Sequence, residues 1–194
     1  MAVNESFGAI PADRSVVRAT AAQWEDLANP AHAINTPGAA TDPVKGLTTG
    51  MLEFSGTVDN ILPGASQLPH AWEEGSSVVP HLHLRFFNAA AGVNTRWKLE
   101  VDVASPNTDF ANAYGTYTLH ETITVTNPNN AGTHIKAEFS ALAMTGKLLS
   151  TIIAWRLSRM KTDVLDTDPG VCALLSLDFH FQSDSIGSTT GITK

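Results

Sequence analysis

Thr95-Arg96-Trp97-Lys98-Leu99-Glu100-Val101-Asp102-Val103 alternates between apolar and charged side chains without a break. Successive side chains on a strand point to opposite faces, so Trp97, Leu99, Val101 and Val103 share one face while Arg96, Lys98, Glu100 and Asp102 share the other. On a helix the same residues would be smeared around the whole circumference. The stretch is therefore a β-strand with one buried and one wet face, and the flanking sequence must supply its partners.

Working outward, the same grammar repeats. Short β-like runs at residues 51–55, 56–62, 78–87, 114–125, 134–142, 148–159 and 171–182 are separated by turn formers such as Pro63-Gly64, Ser105-Pro106-Asn107 and Asn127-Pro128. In 148–159, Leu149, Thr151, Ile153, Trp155 and Leu157 alternate against more polar neighbours, which puts Trp155 in the core with Trp97. The Thr, Val and Gly content excludes a helical domain, and no repeating strand–helix pattern supports a doubly wound α/β fold. The expectation is an all-β protein, an antiparallel β-sandwich closed as a jelly roll of about eight strands.

Residues 1–50 read differently. Pro11, Pro30, Pro37 and Pro43 with Gly38, Gly46 and Gly50 break the region into short pieces. One piece, 16–27, reads as a short helix capped by Asp13 or Ser15, with Val17, Ala21, Trp24 and Ala28 on one face. The division is thus an N-terminal arm or clasp, 1–50, and a jelly-roll domain, 51–194. Trp24 marks the arm as one that becomes ordered on a neighbour. Residues 183–194 read as a polar tail.

A formal net charge of −7 argues against a groove that neutralises nucleic-acid phosphates. Arg156, Arg159 and Lys161 read as a solvated strand end. Cys172 is the single cysteine, so neither an internal disulfide nor a cysteine-based zinc site can form, and its apolar surroundings make it a small core residue. No apolar run approaches the ~20 residues of a membrane span, and the first residues lack the pattern of an export signal.

The residues best suited to chemistry lie in Pro80-His81-Leu82-His83-Leu84-Arg85-Phe86-Phe87. On a strand His81 and His83 point to one face, and His180, with Asp178 two residues before it, can approach from the last strand as a third metal ligand. The alternatives are a polar cluster at a subunit contact or ordinary packing. A divalent metal there would staple an assembly rather than turn over a substrate; no other cofactor is expected. Glu73 and Glu74 read as a solvated turn, and no nucleophile elbow or phosphate-cradling loop is present. The chain is not expected to be an enzyme. Trp72, among polar residues, is the candidate for an exposed aromatic platform, such as a sugar-binding module uses.

Three stretches together carry a resemblance: Pro69-His70-Ala71-Trp72-Glu73-Glu74-Gly75 followed by Pro80-His81-Leu82-His83; Thr95 to Val101; and Leu157-Ser158-Arg159 with the ending Leu177-Asp178-Phe179-His180-Phe181-Gln182-Ser183-Asp184-Ser185-Ile186-Gly187-Ser188. Over residues 68–103 and 155–188 the chain resembles a family of tailed-bacteriophage virion structural proteins. Many members carry Trp where this chain has Leu84 and Tyr where it has Phe181. The resemblance implies a particle component: a capsid-decorating or cement, collar or fibre-associated subunit, assembled in the host cytoplasm. Such a subunit would form a homo-oligomer, dimer or trimer, and contact other virion proteins such as the major capsid protein, with no direct nucleic acid and no membrane. Trp24, Trp72 and His70 are the residues expected at its interfaces. The competing expectation is a metal- or carbohydrate-binding jelly roll, either a cupin-like enzyme or a receptor-binding module.

Overall fold

A computed structural model of the chain describes residues 23–184, apart from 48, 89, 91, 114, 129 and 130. The strands are β1 (Gln23–Pro30), β2 (Val44–Lys45), β3 (Leu52–Phe54), β4 (Asn60–Gln67), β5 (Val79–Phe86), β6 (Asn94–Ala104), β7 (Thr118–Thr126), β8 (His134–Glu138), β9 (Ile152–Arg159) and β10 (Cys172–Ser183). They build two antiparallel sheets. The six-stranded one runs β2-β3-β10-β5-β8 with β1 also on β10; the four-stranded one runs β4-β9-β6-β7.

The pairings β3 with β10, β4 with β9, β5 with β8 and β6 with β7 describe one long folded ribbon whose bend is the β6–β7 connection. Wrapping that ribbon lays alternate pairs in opposite sheets and creates the further contacts β10–β5 and β6–β9. This is a jelly roll of eight strands, as the strand spacing implies, with β1 and β2 added to one sheet.

Between the sheets the apolar phases meet. Leu82, Leu84 and Phe86 of β5, Trp97 and Leu99 of β6, Ile153, Trp155 and Leu157 of β9, and Leu177 and Phe179 of β10 are buried in one core. The indole N–H of Trp97 donates to Thr95 Oγ1 at 2.8 Å and that of Trp155 to Ser66 Oγ at 3.0 Å, so neither large ring buries an unmet donor. Gly64 is required by close approach: a β-carbon there would come within 2.2 Å of the Trp155 ring.

Two strand readings differ from expectation for identifiable reasons. β4 runs straight through Pro63-Gly64 instead of stopping there. It is an edge strand, so the missing Pro63 N–H faces away from the ladder and costs no sheet hydrogen bond. Gln23–Leu27, expected to end a helix, is instead strand; the rest of that expected helix lies outside the described residues. Each residue from Gln23 to Pro30 pairs with β10, from Ser183 to Ser176. β3 covers β10 only over Cys172 to Leu174, and leaving the remaining edge unpaired would strand backbone donors and acceptors. Helix propensity is a weak preference by comparison.

Arg159 corrects a third reading, because it is fully buried rather than solvated. Its guanidinium is bidentate on Asp166, with Nε to Oδ2 at 2.9 Å and Nη2 to Oδ1 at 3.0 Å. It also donates to the carbonyls of Gly170, Asp168 and Phe54 at 2.7, 2.7 and 3.3 Å. Asp166 is equally buried and accepts the Arg96 backbone N–H at 3.0 Å. Truncating the acid leaves a buried cation uncompensated, so Asp166→Ala is expected to lower stability by about 3–5 kcal/mol. Urea unfolding of the two proteins measures the difference; a loss under about 1 kcal/mol would contradict the role given to this pair.

Candidate functional site

Strand register assembles the site on the outer face of the six-stranded sheet. Leu82 pairs with Leu177 and Ala137 on the core side, so the next phase, His81 and His83, turns outward. His81 is opposite Asp178 of β10 and Glu138 of β8; His83 is opposite Ser176 and Lys136. β1 adds Asp26 beside His180. His134 of β8 comes from the same face, in register with Arg85.

The side chains converge. His83 Nε2 is 3.2 Å from Asp178 Oδ2, and His81 Nε2 is 3.9 Å from the same oxygen. His81 Nε2 is also 3.8 Å from Asp26 Oδ1, which lies 3.7 Å from His180 Nδ1. His83 Nδ1 and His134 Nε2 share a hydrogen bond at 2.7 Å. The other oxygen of Asp178 accepts the Asn29 backbone N–H at 3.2 Å and the Ser176 hydroxyl. Although it faces outward, His81 is only 2% exposed, because its neighbours shut it in. Glu138 is held below the usual carboxylate range mainly by the Lys136 ammonium 2.5 Å away, so it stays charged.

Among the described residues, two sets of side chains could hold a metal: His81, His83 and Asp178, and Asp26, His81 and His180. The three histidines singled out in the sequence are therefore neighbours, but they divide between two sets that share His81. Asp26 and His134 were missed. Asp26 lies in a run that reads as helix, and nothing local to it announces that β10 has an open edge. His134 begins an expected strand, and only the β5–β8 register places it beside His83.

The aromatic and interface expectations fare unevenly. Trp72 is fully buried and bridges to Ser183, so it is neither an exposed sugar platform nor an interface residue of the folded chain. Packing of the 68–75 loop across the end of β10 covers it. His70 is half-buried, with Nε2 2.7 Å from the Ser150 hydroxyl, and Ser150 adopts a left-handed φ of 60°. Trp24 is 51% exposed and meets His180 edge-on at 4.9 Å. Glu74 is not merely solvated, since it accepts the Leu149 N–H at 2.8 Å.

A concave region lies on the outer face of the four-stranded sheet. A cleft of about 270 Å³ is bordered by Asp102, Phe110, Asn112 and Tyr117. Arg156 stands 5.2 Å over the Tyr117 ring and is bidentate on Glu100, with both bonds at 2.9 Å. Its guanidinium holds Glu100 below the ordinary carboxylate range, against the opposing effect of burial.

No family model matches the chain, and no curated protein matches it. Among solved structures it is similar to the CBM22-1–GH10 modules of Clostridium thermocellum endo-1,4-beta-D-xylanase 10B complexed with xylohexaose, at 10% identity over 65% of this chain and 20% of that one, TM-score 0.32. It is also similar to an arabinose-bound α-L-arabinofuranosidase (MgGH51), at 9% identity, 85% and 25% coverage, TM-score 0.36. A third is the xylan-binding domain from CBM 22, at 8% identity, 78% and 99% coverage, TM-score 0.30. The chain spans a fifth to a quarter of the first two. The sandwich is defined by its own strand order.

Two outcomes follow from the local electrostatics. Burial pushes the Cys172 thiol far above its usual range, so the folded protein should leave a thiol reagent unreacted at pH 8, with one thiol titrating only after denaturation. Rapid labelling of the native protein would refute the burial. Because the Glu100 pKa is lowered on folding, its contribution is present above the unfolded glutamate pKa and lost as pH falls through the lower folded value. Glu100→Gln should therefore be about 1 kcal/mol less stable than wild type at pH 7, the gap closing below about pH 4. Denaturation midpoints across that range check it.

Proposed function

We propose that the chain is a non-catalytic structural subunit of a bacteriophage virion that works by assembling with copies of itself and with other particle proteins. The observation that carries this reading is the pairing of Gln23 with Ser183. It brings the start of β1 and the end of β10 to one corner of the sandwich. A neighbouring subunit that gripped this corner would hold β1 and β10 at once.

The opposite end of the sandwich offers a second contact. Asp59 accepts hydrogen bonds from the Thr162 N–H and hydroxyl at 2.7 and 2.9 Å, drawing two loops together. Val58, Val164 and Leu165 on these loops are 50, 88 and 50% exposed. Apolar side chains gathered at one end suit a protein contact better than open water. The resemblance over residues 68–103 and 155–188 supports the same reading, with assembly in the host cytoplasm. Mass spectrometry of purified phage particles should find the chain at a fixed copy number, and light scattering should find an oligomer. Deleting residues 1–22 should abolish incorporation while far-UV circular dichroism still reports an intact sandwich. Absence from particles together with a monomer between pH 5 and 8 would overturn the reading.

The cleft beside Tyr117 favours one other reading, a carbohydrate-binding module. An aromatic ring flanked by Asp102 and Asn112 is the arrangement a sugar ring needs, with an apolar face to stack on and polar groups for its hydroxyls. Glycan-array binding lost in Tyr117→Ala would favour it; no binding to any glycan would remove it.

A further inference from the structure

We propose that His81 Nε2, His83 Nε2 and Asp178 Oδ2 hold one divalent transition-metal ion on the outer face of the six-stranded sheet, with solvent in the fourth position, and that the ion clamps strand β1 to the sandwich through the Asn29 N–H held on Asp178 Oδ1. The proposal is independent of the virion reading.

Spacing comes first. Donors around a tetrahedral ion at bond lengths of ~2.0–2.1 Å lie about 3.4 Å apart. His83 Nε2 and His81 Nε2 are 3.2 and 3.9 Å from Asp178 Oδ2. The His81 separation is too long for a hydrogen bond and suits atoms bridged by an ion.

The back of each ligand is also held. His83 Nδ1 is bonded to His134 Nε2 at 2.7 Å, and Asp178 Oδ1 is taken by Ser176 and the Asn29 N–H. His81 Nδ1 faces the Val79 carbonyl at 3.5 Å. Such outer partners fix which atom of each ligand faces inward, and they are what metal sites use to orient imidazoles and carboxylates. Burial adds to this: side-chain exposure is 2% for His81, 22% for His83 and 9% for Asp178.

Charge completes the case. With neutral rings, Asp26 and Asp178 leave the cluster at −2. The cations on the same face are committed elsewhere, Lys136 to Glu138 at 2.5 Å and Arg85 over the Phe87 ring at 5.2 Å. A dication balances the pair, and two imidazoles with carboxylates select zinc, cobalt or nickel over calcium or magnesium. The ligands come from β5 and β10, and Asp178 Oδ1 carries the Asn29 N–H of β1, so binding steadies the N-terminal strand against the two central strands of the sheet.

The test uses untagged full-length protein stripped with chelator and titrated with Zn²⁺ by calorimetry and Co²⁺ by visible absorption. One saturable equivalent is expected, with a raised melting temperature and slower amide exchange across residues 23–30. His83→Gln and Asp178→Asn should each weaken binding more than about 100-fold. Asp26→Asn should keep one equivalent at close to wild-type affinity, and a loss above about 100-fold there would overturn the site in favour of Asp26, His81 and His180. To separate ligand loss from misfolding, nitrogen NMR of the wild type should show Zn²⁺ shifting ring nitrogens of His81 and His83 and leaving His32 and His120 unmoved. No saturable uptake, uptake undiminished in Asp178→Asn, or shifts at the other histidines instead would overturn the site; unchanged exchange of β1 on loading would overturn the clamp.

Discussion

The sandwich depends on a guanidinium with no access to water. Arg159 ends β9 in the four-stranded sheet, and its donors reach the carbonyl of Phe54 at the end of β3 in the six-stranded sheet and those of Asp168 and Gly170 in the loop leading to β10. A buried charge of this kind is tolerated only when paired and fully hydrogen-bonded, and Asp166 supplies the pair. The cost of misplacing any partner is therefore high, which holds the end of the sandwich and the entry to β10 in one geometry. Lys161, 3.3 Å from Asp166 Oδ1, and the Arg96 N–H occupy the remaining acceptor directions of the acid.

β10 inherits that anchoring and passes it along its length. It pairs on one side with β5 from Cys172 to His180 and on the other with β3 and then β1, end to end. β1 is fixed from below as well: Asn29 donates to the Leu177 carbonyl at 2.8 Å and accepts from Ser66, whose hydroxyl in turn receives the Trp155 indole N–H. A polar chain thus runs from the core tryptophan of one sheet to the N-terminal strand of the other. Residues 23–30 are part of the sheet, and the outer-face cluster of Asp26, Asp178, His180, His81 and His83 exists because three strands are locked in register beneath it.

The parts of this structure that were legible in the sequence are those in which a local period equals a physical face. Trp97, Leu99 and Val101 are buried because alternation on a strand leaves them no other side, and the same holds for Ile153, Trp155 and Leu157. Charge spacing was less informative: Glu100 and Asp102 alternate outward as expected yet are nearly covered, since Arg156 lies against the first and the Ala111 N–H reaches the second at 3.2 Å. Trp72 misleads for a related reason. Polar neighbours suggest exposure, but the loop folds its ring beneath the end of β10, and only long-range pairing reveals that.

The chain by itself therefore determined the all-β class, the eight core strands with approximate limits, the inward tryptophans Trp97 and Trp155, and the shared face of His81 and His83. These follow from steric rules acting between residues one or two positions apart. Tertiary structure alone decided that residues 23–30 form a strand, that Arg159 is buried, and that Asp26, Asp178 and His180 meet the histidine pair. Each of those depends on hydrogen-bonding groups brought together from distant positions, such as Asn29 and Asp178, 149 positions apart, and no local period encodes which open edge or unmet charge waits at the far end.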